Sequence, residues 1–305
     1  MKSKISFIMW TLEWILFFAI LTTALFHAYS YRTYSIDDSA ICFRFAENLA
    51  NGHGLKFNRG MPATEGYTNF LWTIMLVPSF ILKIDPMVFS KNLGQFFLTV
   101  TMLSVFLLGR SILKLPFLAL LPLILMAANP SLAIWVISGL EPVMFAGLLF
   151  AGVTLFYFGQ QKGGRCLHAA SAICFSMLIL TRPDAIMFFG IFSCFIAMHI
   201  YAGGMKKEYL VWFSITLSVL ILYVAWRLYY FGSLLPNTYF VKGTGSASSR
   251  EVGASNFTLL LNLDYNRLIL YLSVPVSVLY SIYALFWGKI PIFSRIGIEK
   301  RITPC

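Results

Sequence analysis

Long apolar runs recur along the whole chain. Apolar runs of roughly 18–22 residues follow one another, and each can cross ~30 Å of hydrocarbon as an α-helix. Only 11% of the residues are charged and the mean hydropathy is +0.78, whereas soluble domains carry about 25% charged residues. A soluble enzyme, a disordered chain and a secreted disulfide scaffold are therefore excluded. The sequence predicts an all-α polytopic membrane protein with about 8–9 spans. The candidate spans are residues 5–28, 67–83, 92–109, 115–137, 142–159, 167–182, 184–203, 209–231 and 268–288.

The net charge of +11 is explained by the bilayer rather than by a nucleic-acid partner, because Lys and Arg collect in cytoplasmic loops. With the N-terminus inside as an uncleaved first helix, the cytoplasmic segments carry twelve basic and three acidic residues. The outer segments carry nine basic and eight acidic residues. This arrangement places the loop with Lys83 and Lys91 on the cytoplasmic side.

The two apolar runs between Lys91 and Glu141 raise a parity problem. Two full crossings would leave Glu141 inside, whereas the later loops require it outside. Either 92–109 or 115–137 must then fail to cross. Because Arg110 and Lys114 prefer the cytoplasmic side, we expect 92–109 to be the incomplete span.

Two outer loops, 29–66 and 232–267, are much longer than ordinary connections, and long ordered loops tend to be functional. In the first loop Ile41, Phe45 and Leu49 recur every four residues before an Asn-Gly stop signal. This pattern predicts a short amphipathic helix. We expect it to lie on the membrane surface with its apolar stripe in lipid.

Asp37 and Asp38 stand directly before this helix. One aspartate is enough for an N-cap, which is the simplest structural role for such a residue. Two adjacent carboxylates at a membrane boundary repel each other and suit a metal ion, a cationic group or a proton-accepting task. Both interpretations stay open on the residues alone.

Other charged residues also allow a structural and a functional interpretation. Glu141, followed by Pro, suits a helix start, and Arg182 can pair locally with Asp184. Arg227 has no acid nearby in sequence, so it either snorkels to lipid headgroups or binds a phosphate. His53 in NGHGL is typical of a turn residue rather than of a ligand.

The soluble catalytic motifs are missing from the sequence, since it contains no P-loop, GxSxG or HExxH pattern. The segment Ile36–Trp72 instead resembles the first outer loop of membrane glycosyltransferases of the GT-C superfamily. It is most similar to the bacterial branch that includes the mycobacterial terminal arabinofuranosyltransferases. Ser138–Leu149, Thr181–Ala185 and Arg227–Lys242 fit the same branch in the same order.

The resemblance implies a GT-C-like bundle that moves a sugar from a polyprenyl-phosphate donor to an acceptor hydroxyl, with inversion. The acceptor would be a glycan, a lipid or a protein. The aspartate of the first outer loop, here Asp37 or Asp38, would be the catalytic base. Arg227, Lys242 or a divalent cation (Mg²⁺ or Mn²⁺) would stabilise the leaving phosphate. Any metal would use Asp37, Asp38 and Glu141, and the supporting residues would be Glu65, Glu141, Arg182, Asp184 and His53.

The expected organisation is a single module over residues 1–305, with no C-terminal soluble domain, in a bacterial cytoplasmic membrane. The acids would face the exterior. Two alternatives remain: a transporter or flippase of a lipid-linked saccharide, and a non-catalytic, truncated homologue. A transporter would carry polar residues near mid-membrane, and the spans beyond Glu13 have few.

Overall fold

The computed structural model describes residues 2–113, 115, 117–201, 207–234 and 237, with side chains from residue 7 onward. Within these residues the chain is helical and contains no strand. Residues 1–194 and 206–236 form one compact unit, and residues 195–205 and 237–305 form another. The predicted span 268–288, Lys242 and most of the loop 232–267 lie outside the described residues. The α-helices are α1 (Lys2–Ser30), α2 (Ser39–Ala50), α3 (Phe70–Ile81), α4 (Pro86–Leu113), α5 (Leu121–Ala127), α6 (Pro130–Val136), α7 (Pro142–Lys162), α8 (Arg165–Thr181), α9 (Ala185–Tyr201) and α10 (Lys207–Phe231).

Four described helices are long and apolar enough to cross a membrane, namely α1, α4, α7 and α10. The pair α5–α6, bent by 70°, makes a fifth span if it is counted as one. The chain is therefore a multi-pass helical membrane protein, but the described part has four or five such spans rather than the 8–9 expected. Helix α3 has 12 residues, and α8 and α9 have 17 each. At 1.5 Å per residue they cover only ~18 Å and ~25 Å.

Contacts between segments that are distant in sequence define two ends of the first unit. At one end Ile36 N donates to Ser138 O (3.3 Å), and Arg182 pairs with Glu141. We call this the loop end; it comprises residues 31–69, 82–91, 137–141, 182–184 and 227–231.

The opposite end comprises residues 110–113, 117–118, 160–168 and 207–209. Here Tyr209 donates to Gln160 at 3.1 Å, so α7 and α10 meet. Glu13, about three turns into α1, accepts from Phe117 N at 3.2 Å and lies 3.0 Å from Arg110 Nε. This placement shelters an acid that would be costly if it faced lipid.

Helix α3 does not join the two ends, which corrects the predicted span 67–83. Trp72 Nε1, in its first turn, donates to Gly139 O at 3.1 Å. Met87, just after the turn that follows α3, lies beside the same Gly139. Both flanks of α3 thus contact one segment, and the loop with Lys83 and Lys91 lies at the loop end. The sequence placed this loop on the side opposite Asp37 and Asp38, whereas the structure places it on the same side. An uncharged apolar run resembles a span, but this one is only 12 residues long.

The same finding removes the parity problem. Helix α4 is uninterrupted over 28 residues, and it runs from Met87 at the loop end to Arg110 at the opposite end. The expectation that 92–109 is incomplete is therefore wrong. The segment after α4 then returns, since Phe117 lies beside Glu13 and Ser138 lies beside Ile36. The segment that fails to cross is 67–83.

Helices α4, α6, α7 and α8 approach one another closely at glycines, as in many membrane bundles. A Cβ at Gly94 would meet the carbonyl oxygen of Val136, and a Cβ at Gly152 would lie 2.9 Å from Phe175. Ser171 Oγ donates to Gly152 O at 2.7 Å. These contacts make the rigid frame on which the loop end is built.

The amphipathic helix of the first loop is confirmed as α2. Its apolar stripe, however, faces protein rather than lipid. Phe45 is completely buried and packs with Leu55 and Tyr67, and Ile41 and Leu49 pack against the same cluster. The opposite edge of α2 is also tied down, because buried Asn48 donates to the carbonyls of Lys56 and Phe57. The first loop is thus a folded layer on the bundle.

Candidate functional site at the loop end

Asp37 and Asp38 lie in the turn that leads into α2, and both are exposed. Asp38 occupies the N-cap position with αR backbone angles, and its side chain makes no capping hydrogen bond. Asp37 Oδ1 accepts from Asp38 N at 3.0 Å. Neither carboxylate therefore performs the capping role considered above, and both remain accessible.

This turn is fixed against the segment that precedes α7. Ile36 N donates to Ser138 O on one side of the two aspartates. On the other side Ser39 packs against Gly139, where an added Cβ would lie 3.0 Å from Ser39 Cβ. Gly139 has a φ of +86°, in the left-handed region that favours glycine. The aspartates are thus held between two contacts to residues 138–139.

A buried polar network lies directly after this segment. Glu141 is only 5% exposed; it accepts from Asn69 Nδ2 at 2.6 Å and from Arg182 Nη1 at 3.0 Å. Asn69 also contacts Cys42 Sγ of α2 at 3.2 Å. Arg182 Nε reaches Asp184 at 3.0 Å. The network connects α2, the start of α3, the start of α7 and the turn between α8 and α9.

Protonation in this network follows burial and charge. Burial disfavours the charged form of Arg182, but Asp184 and Glu141 outweigh that effect and raise the pKa of Arg182 above its ordinary value. Burial raises the pKa of the Cys42 thiol to about 11, although its bond to Asn69 lowers it. Cys42 is therefore a neutral structural thiol at physiological pH. Glu141 sits at a helix start as predicted, but its side chain makes no cap and serves the network instead.

A second ion pair joins the first loop to α10. Arg227 Nη2 donates to Glu65 Oε2 at 2.5 Å, and the two side chains are only 9% and 5% exposed. Arg227 has no acid nearby in sequence, but the fold supplies Glu65, so the guanidinium is paired within the protein rather than free to snorkel or to bind a phosphate. The partner is 162 positions away in sequence, which no local pattern reveals.

Burial dominates the electrostatics of this second pair. Burial raises the pKa of Glu65, and the Arg227 guanidinium lowers it only in part. Arg227 Nε and the Tyr67 hydroxyl are buried without a hydrogen-bond partner in the described part of the chain. Burial also raises the pKa of Tyr67. This pair closes the loop against α10 and leaves little of itself open to a substrate.

The structure brings some predicted site residues together and separates others. Arg182 pairs locally with Asp184, as the structural interpretation expected, and also with Glu141. His53 is exposed in a turn, between two glycines of positive φ.

The predicted metal ligands Asp37, Asp38 and Glu141 do not form a site. Among the described residues, no three His, Cys, Asp or Glu side chains are grouped to hold an ion. Glu141 is committed to Asn69 and Arg182 in the buried network, whereas the two aspartates are exposed.

Sequence reasoning missed Asn69, Asn48 and Lys91. The two asparagines are buried and organise the loop end, but a lone Asn in a loop carries no pattern. Lys91 was assigned to the wrong end, because α3 was interpreted as a span. Its Nζ donates to Arg32 O at the end of α1, at 2.6 Å. The signal that could have corrected the assignment of Lys91 is length, since a helix of 12 residues over 70–81 is too short to cross the hydrocarbon.

The comparisons with known proteins leave the family open. No family model matches the chain, and no curated protein or solved structure is significantly similar to it.

Proposed function

We propose that the chain is a membrane glycosyltransferase with a GT-C-like bundle, which transfers a sugar from a polyprenyl-phosphate donor to an acceptor hydroxyl at the loop end. The observation that carries the proposal is the exposure of Asp37 and Asp38 on a folded, fixed loop. Two carboxylates held in place without a capping role suit a catalytic base. The resemblance of Ile36–Trp72 to the first loop of GT-C enzymes supports the same assignment.

The chemistry needs one proton acceptor near the reacting centre. The acceptor hydroxyl attacks the anomeric carbon while the bond from that carbon to the lipid phosphate oxygen breaks. The hydroxyl proton passes to the carboxylate of Asp37 or Asp38. Attack opposite the leaving group at an oxocarbenium-like centre inverts the configuration. Polyprenyl phosphate leaves with the bonding electrons.

The buried network supplies positioning rather than chemistry. The Glu141–Arg182 ion pair holds the segment 138–141 in place. That segment contacts Ile36 and Ser39, on either side of the two aspartates. We therefore assign Glu141, Arg182 and Asp184 as positioning residues. Arg227 neutralises Glu65 and has a structural role, because the pair ties the first loop to α10.

Charge favours an outward-facing loop end. The opposite end and the first residues of α1 carry Lys and Arg in excess of acids, and basic residues favour the cytoplasmic side. The protein would then be a multi-pass protein of a bacterial cytoplasmic membrane with its N-terminus inside. The basic residues at that end are Lys2, Lys4, Arg110, Lys162, Arg165 and Lys207, against Glu13 and Glu208.

The test is sugar transfer by the full chain in membranes supplied with radiolabelled polyprenyl-phosphate sugars. Asp37→Asn and Asp38→Asn are compared separately with Glu47→Gln, whose carboxylate lies in the same loop but pairs with Arg44. Loss of the base should lower transfer by about 10²- to 10⁴-fold in one of the two variants. Glu47→Gln should transfer at the wild-type rate. Wild-type transfer by both aspartate variants would refute the proposal.

A further inference from the structure

Arg227, which was expected to stabilise the leaving phosphate, and Arg182, the other arginine close to the aspartate turn, are both paired with acids. Arg227 is buried against Glu65, and Arg182 is shared by Glu141 and Asp184. A phosphate that approached either guanidinium would have to compete with a carboxylate. Lys242, the other cation expected there, lies outside the described residues, so within the described part of the chain a cation that is not paired with an acid suits the leaving phosphate better.

Lys91 and Arg32 form the alternative pair. Lys91 Nζ donates to the backbone oxygen of Arg32 at 2.6 Å, so the first turns of α4 meet the end of α1. Met87, one turn before Lys91 and on the same face, lies beside Gly139 and Ser39. That contact borders the turn with Asp37 and Asp38. Lys91 thus lies one helical turn from the contact that borders the proposed catalytic turn, and Arg32 lies five residues before Asp37.

Neither cation is neutralised by an acid in the described part of the chain, where the ion pairs involve other residues. An ammonium has three donors, and Lys91 spends one on a backbone carbonyl. The nearest acid in sequence, Asp85, attracts the Lys91 ammonium but forms no ion pair with it, and its Oδ1 accepts from Met87 N and Val88 N at the start of α4. Two donors of Lys91 and the guanidinium of exposed Arg32 remain for a ligand.

The surroundings suit a lipid rather than a free anion. Val88 lies three residues before Lys91, hence on the same face of α4, and is 52% exposed. Tyr29, 52% exposed, lies under the Arg32 guanidinium at 5.0 Å from its ring centroid. Apolar side chains next to unpaired cations match an isoprenoid chain followed by a phosphate.

We propose that Lys91 and Arg32 bind the phosphate of the polyprenyl-phosphate donor next to Asp37 and Asp38. This assignment rests on the proposed function and extends it to the donor phosphate. Both cations would offset the negative charge that develops on the phosphate oxygen as the glycosidic bond breaks. The bidentate fork of Arg32 and the ammonium of Lys91 suit phosphate oxygens.

The experiment measures binding of sugar-free polyprenyl phosphate to the purified full chain in detergent. Lys91→Gln and Arg32→Gln should each weaken binding about 10- to 100-fold, the range expected for one charged hydrogen-bonding group. Lys91→Arg should retain binding. The control is Lys162→Gln, which removes a basic residue at the opposite end and should leave binding unchanged. Polyprenol and inorganic phosphate serve as competitors, and neither should displace the lipid phosphate.

Three results would overturn the proposal. Lys91→Gln and Arg32→Gln could bind like Lys162→Gln. Inorganic phosphate could compete as well as the lipid phosphate, so that no lipid is recognised. Lys91→Gln could lose binding together with thermal stability and without rescue by Lys91→Arg, which would leave Lys91 a purely structural role. If binding behaves as expected but both aspartate variants transfer sugar normally, the site stands and the proposed catalytic function fails.

Discussion

Two of the ion pairs at the loop end differ in how deeply they are buried. The Glu65–Arg227 pair is buried on both sides, with side chains 5% and 9% exposed. In the Glu141–Arg182 pair the acid is 7% exposed but the arginine is 38% exposed. The first pair closes a loop against α10, whereas the second supports an open surface. In this protein the pair with both partners buried is the one that closes the loop against α10. The pair with an exposed arginine lies next to the candidate site.

Arg227→Ala tests whether the Glu65–Arg227 pair stabilises the fold, and it should have the largest effect on stability. It leaves the Glu65 carboxylate buried without its cation, and removing one partner of a buried pair costs about 3–5 kcal/mol. Thermal unfolding of the purified chain in detergent should show this as a large loss of stability. Arg227→Ala combined with Glu65→Gln should recover part of it, because no uncompensated charge remains. An Arg227→Ala variant as stable as wild type would show that the pair does not stabilise the fold.

Glu141→Gln tests the open pair and should have a smaller effect. Arg182 keeps Asp184 and is partly solvated, and the glutamine can still accept from Asn69. We expect a loss of roughly 1–3 kcal/mol, the cost of one charged hydrogen bond. The loss of transfer should exceed what the loss of folded protein explains. Equal destabilisation by Glu141→Gln and Arg227→Ala would contradict the distinction between the two pairs.

Gly139→Ala tests whether the contact between Gly139 and Ser39 holds the aspartate turn in position. Gly139 and Gly60 have φ values of +86° and +80°, so alanine is strained at both positions, by roughly 1–3 kcal/mol. Only at Gly139 does the new methyl group meet a neighbour, 3.0 Å from Ser39 Cβ, while Gly60 has open space. Gly139→Ala should therefore reduce transfer well below that of Gly60→Ala. Equal transfer rates would show that this contact does not position the site.

The smallest effect on stability is expected for Asp37→Asn and Asp38→Asn. Both residues are exposed, neither side chain caps α2, and exposed substitutions usually change stability by less than about 0.5 kcal/mol. Unfolding temperatures should match wild type even where transfer is lost. A clear loss of stability would assign the aspartates a structural role after all.

The sequence was sufficient for features with a local signature. The apolar runs predicted a helical membrane protein, and the four-residue spacing of Ile41, Phe45 and Leu49 predicted α2. The position of Glu141 before proline predicted a helix start, and Arg182 paired with Asp184 two residues away. Each of these depends on contacts within a few residues.

Features that depend on distant contacts could not be predicted from the sequence. The partner of Arg227 is Glu65, and nothing in either neighbourhood indicates the other. The stripe of α2 was expected in lipid because lipid and protein interior are equally apolar. Residues 67–83 were expected to cross because hydropathy reports apolarity and not the path of the chain. The last error also placed Lys91 at the wrong end.

The central claim is that the aspartate turn and the turn after α3 lie on one side of the membrane. Asp38→Cys, Lys83→Cys and Lys162→Cys, each in a chain whose five native cysteines are replaced by serine, test it in intact and permeabilised cells. A membrane-impermeant maleimide should label positions 38 and 83 from the same side and position 162 from the other. Labelling of position 83 together with position 162 would restore α3 as a span and contradict the account.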